Sequence, residues 1–127
     1  MTIIVNDSGF HSDDIPQSAP MLYIAADTNP TNMGVPDENT LLVCVDFPSF
    51  ADGRGFTLAR HLRQLGYTGR LRAMGHLIAD QYTMARRAGF DEVEISDDLA
   101  TRQPWPQWQA RTDWQAHDYQ SRLGHTL

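Results

Sequence analysis

Apolar positions in this chain come in short unbroken runs, and helically spaced stretches separate them. Residues 3–5 form a first short run, Ile3, Ile4 and Val5. Residues 21–25 and 41–45 are apolar at consecutive positions, the pattern of strands covered on both faces in a parallel sheet. Pro48 closes the second of these, because proline cannot donate to a ladder. Residues 69–73 and 92–95 are predicted as two further strands. In them Arg70 and Arg72 alternate with Leu71 and Ala73, and Glu92 and Glu94 alternate with Val93 and Ile95. Period two puts both arginines on one face and both glutamates on one face, so neighbouring strands in register would pair them.

Between the strands the period changes to helical. Phe56, Leu58, Ala59, Leu62 and Leu65 recur at three- and four-residue spacing, with Arg60, Arg63 and Gln64 on the wet side. A second helix is predicted over 77–88, with Leu77, Ile78, Met84, Ala85 and Ala88 on its apolar side. Gly66 and Gly89 suit the left-handed position after each helix. The two exits resemble one another, since Gly66-Tyr67 and Gly89-Phe90 each lead into a strand. Strands separated by helices of this length imply parallel pairing through right-handed crossovers. The expected fold is α/β: one small domain over 1–127, with a mostly parallel sheet built from βα units. Residues 1–20, polar from Asn6 and carrying Asp13, Asp14, Pro16 and Pro20, read as a loop or mobile arm. Residues 98–127 hold Trp105, Trp108, Trp114 and Tyr119 and read as an aromatic tail packed on the sheet, most economically over its charged face.

The 127 residues carry a net charge of −6 and a pI near 5.1. That balance argues against nucleic acid or an anionic membrane surface as partner, since both call for a basic stripe. No signal peptide and no membrane-spanning run are read from the sequence, so the expected location is cytoplasmic. Cys44 is the single cysteine, set in an apolar run, and reads as a small buried hydrophobe rather than a redox thiol. The five histidines show no metal-ligand spacing, so no metal is expected. No glycine-rich nucleotide loop or nucleophile elbow occurs, so nicotinamide, ATP and serine-hydrolase readings lose their usual support; the cofactor stays open, with a flavin or a partner on the aromatic tail as the alternative to packing.

Ligands of parallel sheets bind beyond the carboxyl ends of the strands. Here that rule gathers Asp46, Asp52, Arg54, Gly75, His76, Asp97 and Asp98 on one rim, with Asp80 and Gln81 leaning in from the second helix. The loop Asp52-Gly53-Arg54-Gly55 precedes a helix start, where free N–H groups favour an anion. Arg54 and Arg72, with Gly53, Gly55, Gly75 and Gln81, are the candidate anion or substrate contacts. Asp46, Asp52 and Asp80 are the candidate proton carriers, and His76 lacks a partner to orient it. The plainer alternative is a turn pinned by an Asp52–Arg54 or Asp46–Arg54 ion pair, with a salt-bridge lattice on the Arg72 face.

The blocks Asp46-Phe47-Pro48-Ser49-Phe50-Ala51-Asp52-Gly53-Arg54-Gly55-Phe56, Gly66-Tyr67-Thr68-Gly69, Leu71-Arg72-Ala73-Met74-Gly75, Asp80-Gln81 and Arg87-Ala88-Gly89-Phe90-Asp91 occur in this order. With Tyr119-Gln120 near the end, they resemble the bacterial family known as domain of unknown function 934. The resemblance implies an accessory protein or an oxidoreductase linked to assimilatory sulfite reduction, partnered by sulfite reductase or another sulfur-assimilation protein. It brings no catalytic residue and no cofactor. The residues themselves leave two other readings: an enzyme acting on a small anionic metabolite, or a homodimeric structural module without catalysis.

Overall fold

The computed structural model describes residues 2–115. Six strands form one sheet in the order β2-β1-β6-β5-β4-β3. They are β1 (Thr2–Asn6), β2 (Gly9–His11), β3 (Met21–Ile24), β4 (Leu42–Phe47), β5 (Leu71–Gly75) and β6 (Glu92–Ser96). Strands β3 to β6 are mutually parallel, whereas β1 runs antiparallel to β6 and to β2. The expected α/β class and mostly parallel sheet are therefore observed. The start of the supposed arm differs: residues 2–11 form a hairpin built into the sheet. Its Ile4 and Val5 are buried, and the ladder to β6 gives their backbone groups the partners that a loop would have sought in water.

Because β3, β4, β5 and β6 follow one another across the sheet, every right-handed crossover steps the same way and lands on the same face. That face carries α1 (Arg54–Gln64), a 3-10 turn at Ala79–Gln81 leading into α2 (Tyr82–Ala88), and α4 (Trp105–Gln109); the short α3 (Asp97–Arg102) follows β6. The second predicted helix is thus shorter than 77–88, its first turn wound as 3-10. Beneath the helices lie Val43, Val45, Leu71, Ala73, Val93 and Ile95, in one core with Leu58, Leu62, Tyr82 and Phe90. Gly66 (φ +103°) and Gly89 (φ +117°) hold the left-handed positions after α1 and α2. Arg63 ties the two exits together: its guanidinium donates to the carbonyls of Tyr67 and Gly69 on one exit and of Gly89 on the other.

The opposite face has no helix layer. Strands β2 and β3 sit at opposite edges, so residues 12–20 must travel the width of the sheet. Nine residues at ~3.3 Å reach about 30 Å, enough for the roughly 24 Å of five interstrand steps. This strap crosses the open face and pins itself there: Asp13 bonds Arg72, and Asp14 bonds Arg70.

The tryptophans take the other side. Trp108 is fully buried, edge-on to Tyr82 in the helix-side core, and donates from its indole to the Gln103 carbonyl at 2.8 Å. Trp105 meets Phe10 of β2, and the Trp114 ring lies under Arg86. The aromatic segment is therefore packed on the sheet as expected, but over the apolar face instead of the charged one. The charged face has its own cover, and α2 stops short of β1 and β2, which leaves their apolar side for α4 to close. Tyr119 and Gln120 lie outside the described residues.

Candidate functional site at the carboxyl ends of the strands

Parallel β4, β5 and β6 deliver their following loops to one edge, so Asp46, the 48–53 loop, His76 and residues 96–98 do share a rim. What they do there differs residue by residue. Asp52 accepts from the Arg54 backbone N–H at 3.1 Å and from its guanidinium at 2.6–3.2 Å. It thus occupies the first free amide of α1 and neutralises the candidate anion ligand together. The guanidinium beside it holds the Asp52 carboxyl below the usual carboxylate range. This is the pinned turn weighed as the plainer alternative.

The three glycines have separate reasons. Gly53 is the N-cap of α1 and faces open space. Gly55 is buried, and a Cβ there would fall inside the Phe47 ring, so the close approach it allows is that of an aromatic side chain. Gly75 (φ +110°) brings the backbone against the end of β4, where a Cβ would stand 2.6 Å from the Phe47 carbonyl. His76 then donates its N–H to that same carbonyl at 2.9 Å. Gln81 reaches the rim as expected, donating to the Phe50 carbonyl at 2.8 Å and accepting from the Ile78 N–H. Asp80 turns away and pairs with Arg111 at 2.8 Å.

Arg72 lies on the open face. Its side chain is 2% exposed and is held by Glu92 at 2.5 Å, Glu94 at 3.0 Å and Asp13 at 3.1 Å. Burial works against its charge, but the bonds to Asp13 and Glu92 outweigh that and hold the guanidinium above its ordinary value. Arg70 shares Glu92 at 2.7 Å and takes Asp14 at 2.8 Å. The strands are in register, with Arg72 opposite Glu92. Four carboxylates face two guanidiniums, so no positive charge is left over on this face.

The principal hollow is offset from the 46–55 loop. It measures about 390 Å³ and lies where parallel β5 and β6 meet antiparallel β1. A crevice is expected where the order of strands changes. The sequential stretch from β3 to β6 has no such change. Met74, Ile95 and Leu99 give the hollow an apolar lining; Glu94, Asp98 and Arg102 give it charge. Phe50 leans in from the β4–α1 loop, 45% exposed and edge-on to the His76 ring at 5.7 Å. Sequence reasoning missed Phe50, Thr2, Leu99 and Arg102. An aromatic in a polar loop was a readable signal for Phe50, whereas Thr2 enters only through antiparallel pairing of β1.

Cys44 is 2% exposed on the open face, and burial pushes its thiol up to about 11. Among the described residues, no group of three or more histidine, cysteine or carboxylate side chains is placed to hold a metal ion. Nor, among them, is any helix long and apolar enough to cross a membrane.

These features define a two-layer α/β domain with one open face and a cleft at the carboxyl ends of its parallel strands. The chain belongs to a family of bacterial proteins of unknown function, DUF934, whose model matches residues 22–126. The match begins at β3, so the hairpin and the strap precede it. No curated protein and no solved structure matches the chain.

Proposed function

We propose that this protein is an accessory component of assimilatory sulfite reduction that docks onto a partner protein, sulfite reductase or a protein acting beside it, through the cleft at the strand ends. The sulfur context comes from the family resemblance of the sequence; the docking mode comes from the cleft. The observation that carries it is the composition of that hollow, in which exposed Phe50 stands at the mouth of an apolar lining flanked by Glu94 and Asp98. Arg72 holds Glu94 and Arg102 holds Asp98, so the cleft of this chain of net charge −6 offers sulfite or sulfate no free cation. An apolar side chain from a protein fits the same walls well.

Arg54 and Arg72 support this choice from the other direction. Each guanidinium is already hydrogen bonded to carboxylates of its own chain. Binding a free anion at either would mean breaking those pairs first.

The test is co-purification with bacterial sulfite reductase, set beside thermal melting in sulfite, sulfate and phosphate. The docking reading expects association that Phe50→Asp weakens at least about tenfold, as for a central aromatic anchor, and no melting shift from the anions. A melting shift with sulfite that Arg54→Ala abolishes would overturn it in favour of an anion site, and with it an enzyme acting on a small anionic metabolite.

A further inference from the structure

The sheet ends at β3, a four-residue edge strand without the charges, proline or bulge that usually keep an edge from pairing. Met21–Ile24 carries no charge and no proline, and its register with β4 runs without a bulge. Leu41 donates its N–H to the Pro20 carbonyl at 2.8 Å. Carrying the parallel alternation forward turns the N–H and C=O of Leu22 and Ile24 towards β4 and those of Met21 and Tyr23 outward. Among the described residues no backbone hydrogen bond reaches the outward groups of Tyr23. Its side chain is 60% exposed, and that of Leu22 40%.

An apolar hollow flanks the strand on each side. On the helix side, about 230 Å³ is lined by Leu22, Ile24, Met33 and Leu62. On the open-face side, about 300 Å³ lies among Tyr23, Ala25, Cys44 and Met74, with Asp46 at its border. An extended chain laid along this edge sends alternate side chains to alternate faces, one set into each hollow. The Asp46 carboxylate makes no hydrogen bond or ion pair among the described residues. Arg72 is taken by Glu92 and Arg54 by Asp52.

We propose that β3 is a strand-addition site for an extended segment of a partner protein, apolar at alternate positions and bearing a lysine or arginine that reaches Asp46. Charge selects this occupant over a second copy of the chain, which would bring another net −6 to an edge bordered by an unneutralised carboxylate. The surface adjoins the cleft at Met74 but is built on the β3 edge, so shifts at residues 21–25 without Phe50 or His76 distinguish it from docking there.

The probe is a blocked hexapeptide of alternating valine and threonine with a lysine at one end, compared with the same peptide ending in glutamate. Binding is followed by amide NMR shifts of the full chain. Expected are shifts centred on residues 21–25 and 44–46, binding abolished by Tyr23→Pro, which removes an outward N–H but no ladder bond to β4, and affinity lowered about three- to fivefold by Asp46→Asn. Should Tyr23→Pro fail to fold, the Asp46→Asn comparison and the glutamate peptide carry the test. Shifts elsewhere, equal affinity for both peptides, or a dimer by light scattering with β3 at its centre would each overturn the proposal, the last in favour of self-pairing.

Discussion

Asp13 and Arg72 stand 59 positions apart in sequence and 3.1 Å apart in the fold, joined across the open face of the sheet. With Asp14 on Arg70 at 2.8 Å, this contact fixes the strap that runs from one edge strand to the other. The arginines hold both strap carboxyls below their ordinary value of 3.8, Arg72 for Asp13 and Arg70 for Asp14.

A depressed carboxyl pKa contributes stability above the unfolded value and loses it as pH falls through the folded one. The strap is therefore expected to hold fully above about pH 4 and to let go below the ordinary value of 3.8. The melting temperature of the native chain should exceed that of an Asp13→Asn/Asp14→Asn variant at pH 7. The gap should shrink as pH falls below 3.8, and a gap independent of pH would count against the assignment.

Arg72 and Glu92 are nearly sealed from water, at 2% and 4% side-chain exposure. Arg72→Ala leaves buried Glu92 with Arg70 as its remaining partner and strips Glu94 and Asp13 of theirs, at an expected cost of about 3–5 kcal/mol. Replacing both, as Arg72→Met/Glu92→Leu, should recover most of that loss. Urea unfolding of the single and double variants measures the difference.

Gly53 and Gly55 look equivalent in sequence and are not equivalent in space. Gly53→Ala meets nothing within 4 Å and should change stability by less than about 0.5 kcal/mol. Gly55→Ala drives a methyl into the Phe47 ring and should cost about 1–3 kcal/mol. Equal losses in chemical denaturation would contradict the packing described for Phe47.

Cys44 offers a reactivity test. A shift from 9.0 to about 11 lowers its thiolate fraction about 100-fold. An aromatic disulfide reagent at pH 8 should label the folded protein at least that much more slowly than the urea-unfolded chain. Rapid labelling of native protein would mean that the open face gives easy access to β4.

Much of this architecture could be read from pattern. The apolar run at 41–45, the helical spacing after Phe56 and the two glycine exits specified the parallel core, because those elements follow local periodicity. The pairing of Arg70 and Arg72 with Glu92 and Glu94 was legible for the same reason, once β5 and β6 are neighbours. The hairpin was not: Ile4 and Val5 are too short a run to reveal that they complete the sheet beside β6, a partner some 90 residues on. Nor could spacing say which face Trp108 covers, since that depends on where α2 ends. On the rim, residue types were right and their partners were not all legible. Asp52 and Arg54 looked available to a ligand, and only geometry shows them satisfying each other.

A single covalent run spans the sheet from β2 to β3 and touches its middle through two aspartates. A protease nick within residues 12–20 would turn one chain into two pieces. The smaller would remain attached by the backbone ladder of β1 to β6, by the contacts of β2 with α4 and by Asp7, whose carboxylate accepts from Tyr82, Arg86 and Trp114. The molecule is thus closed like a belt, and its first eleven residues stay in place partly because the buckle ties them to the opposite side.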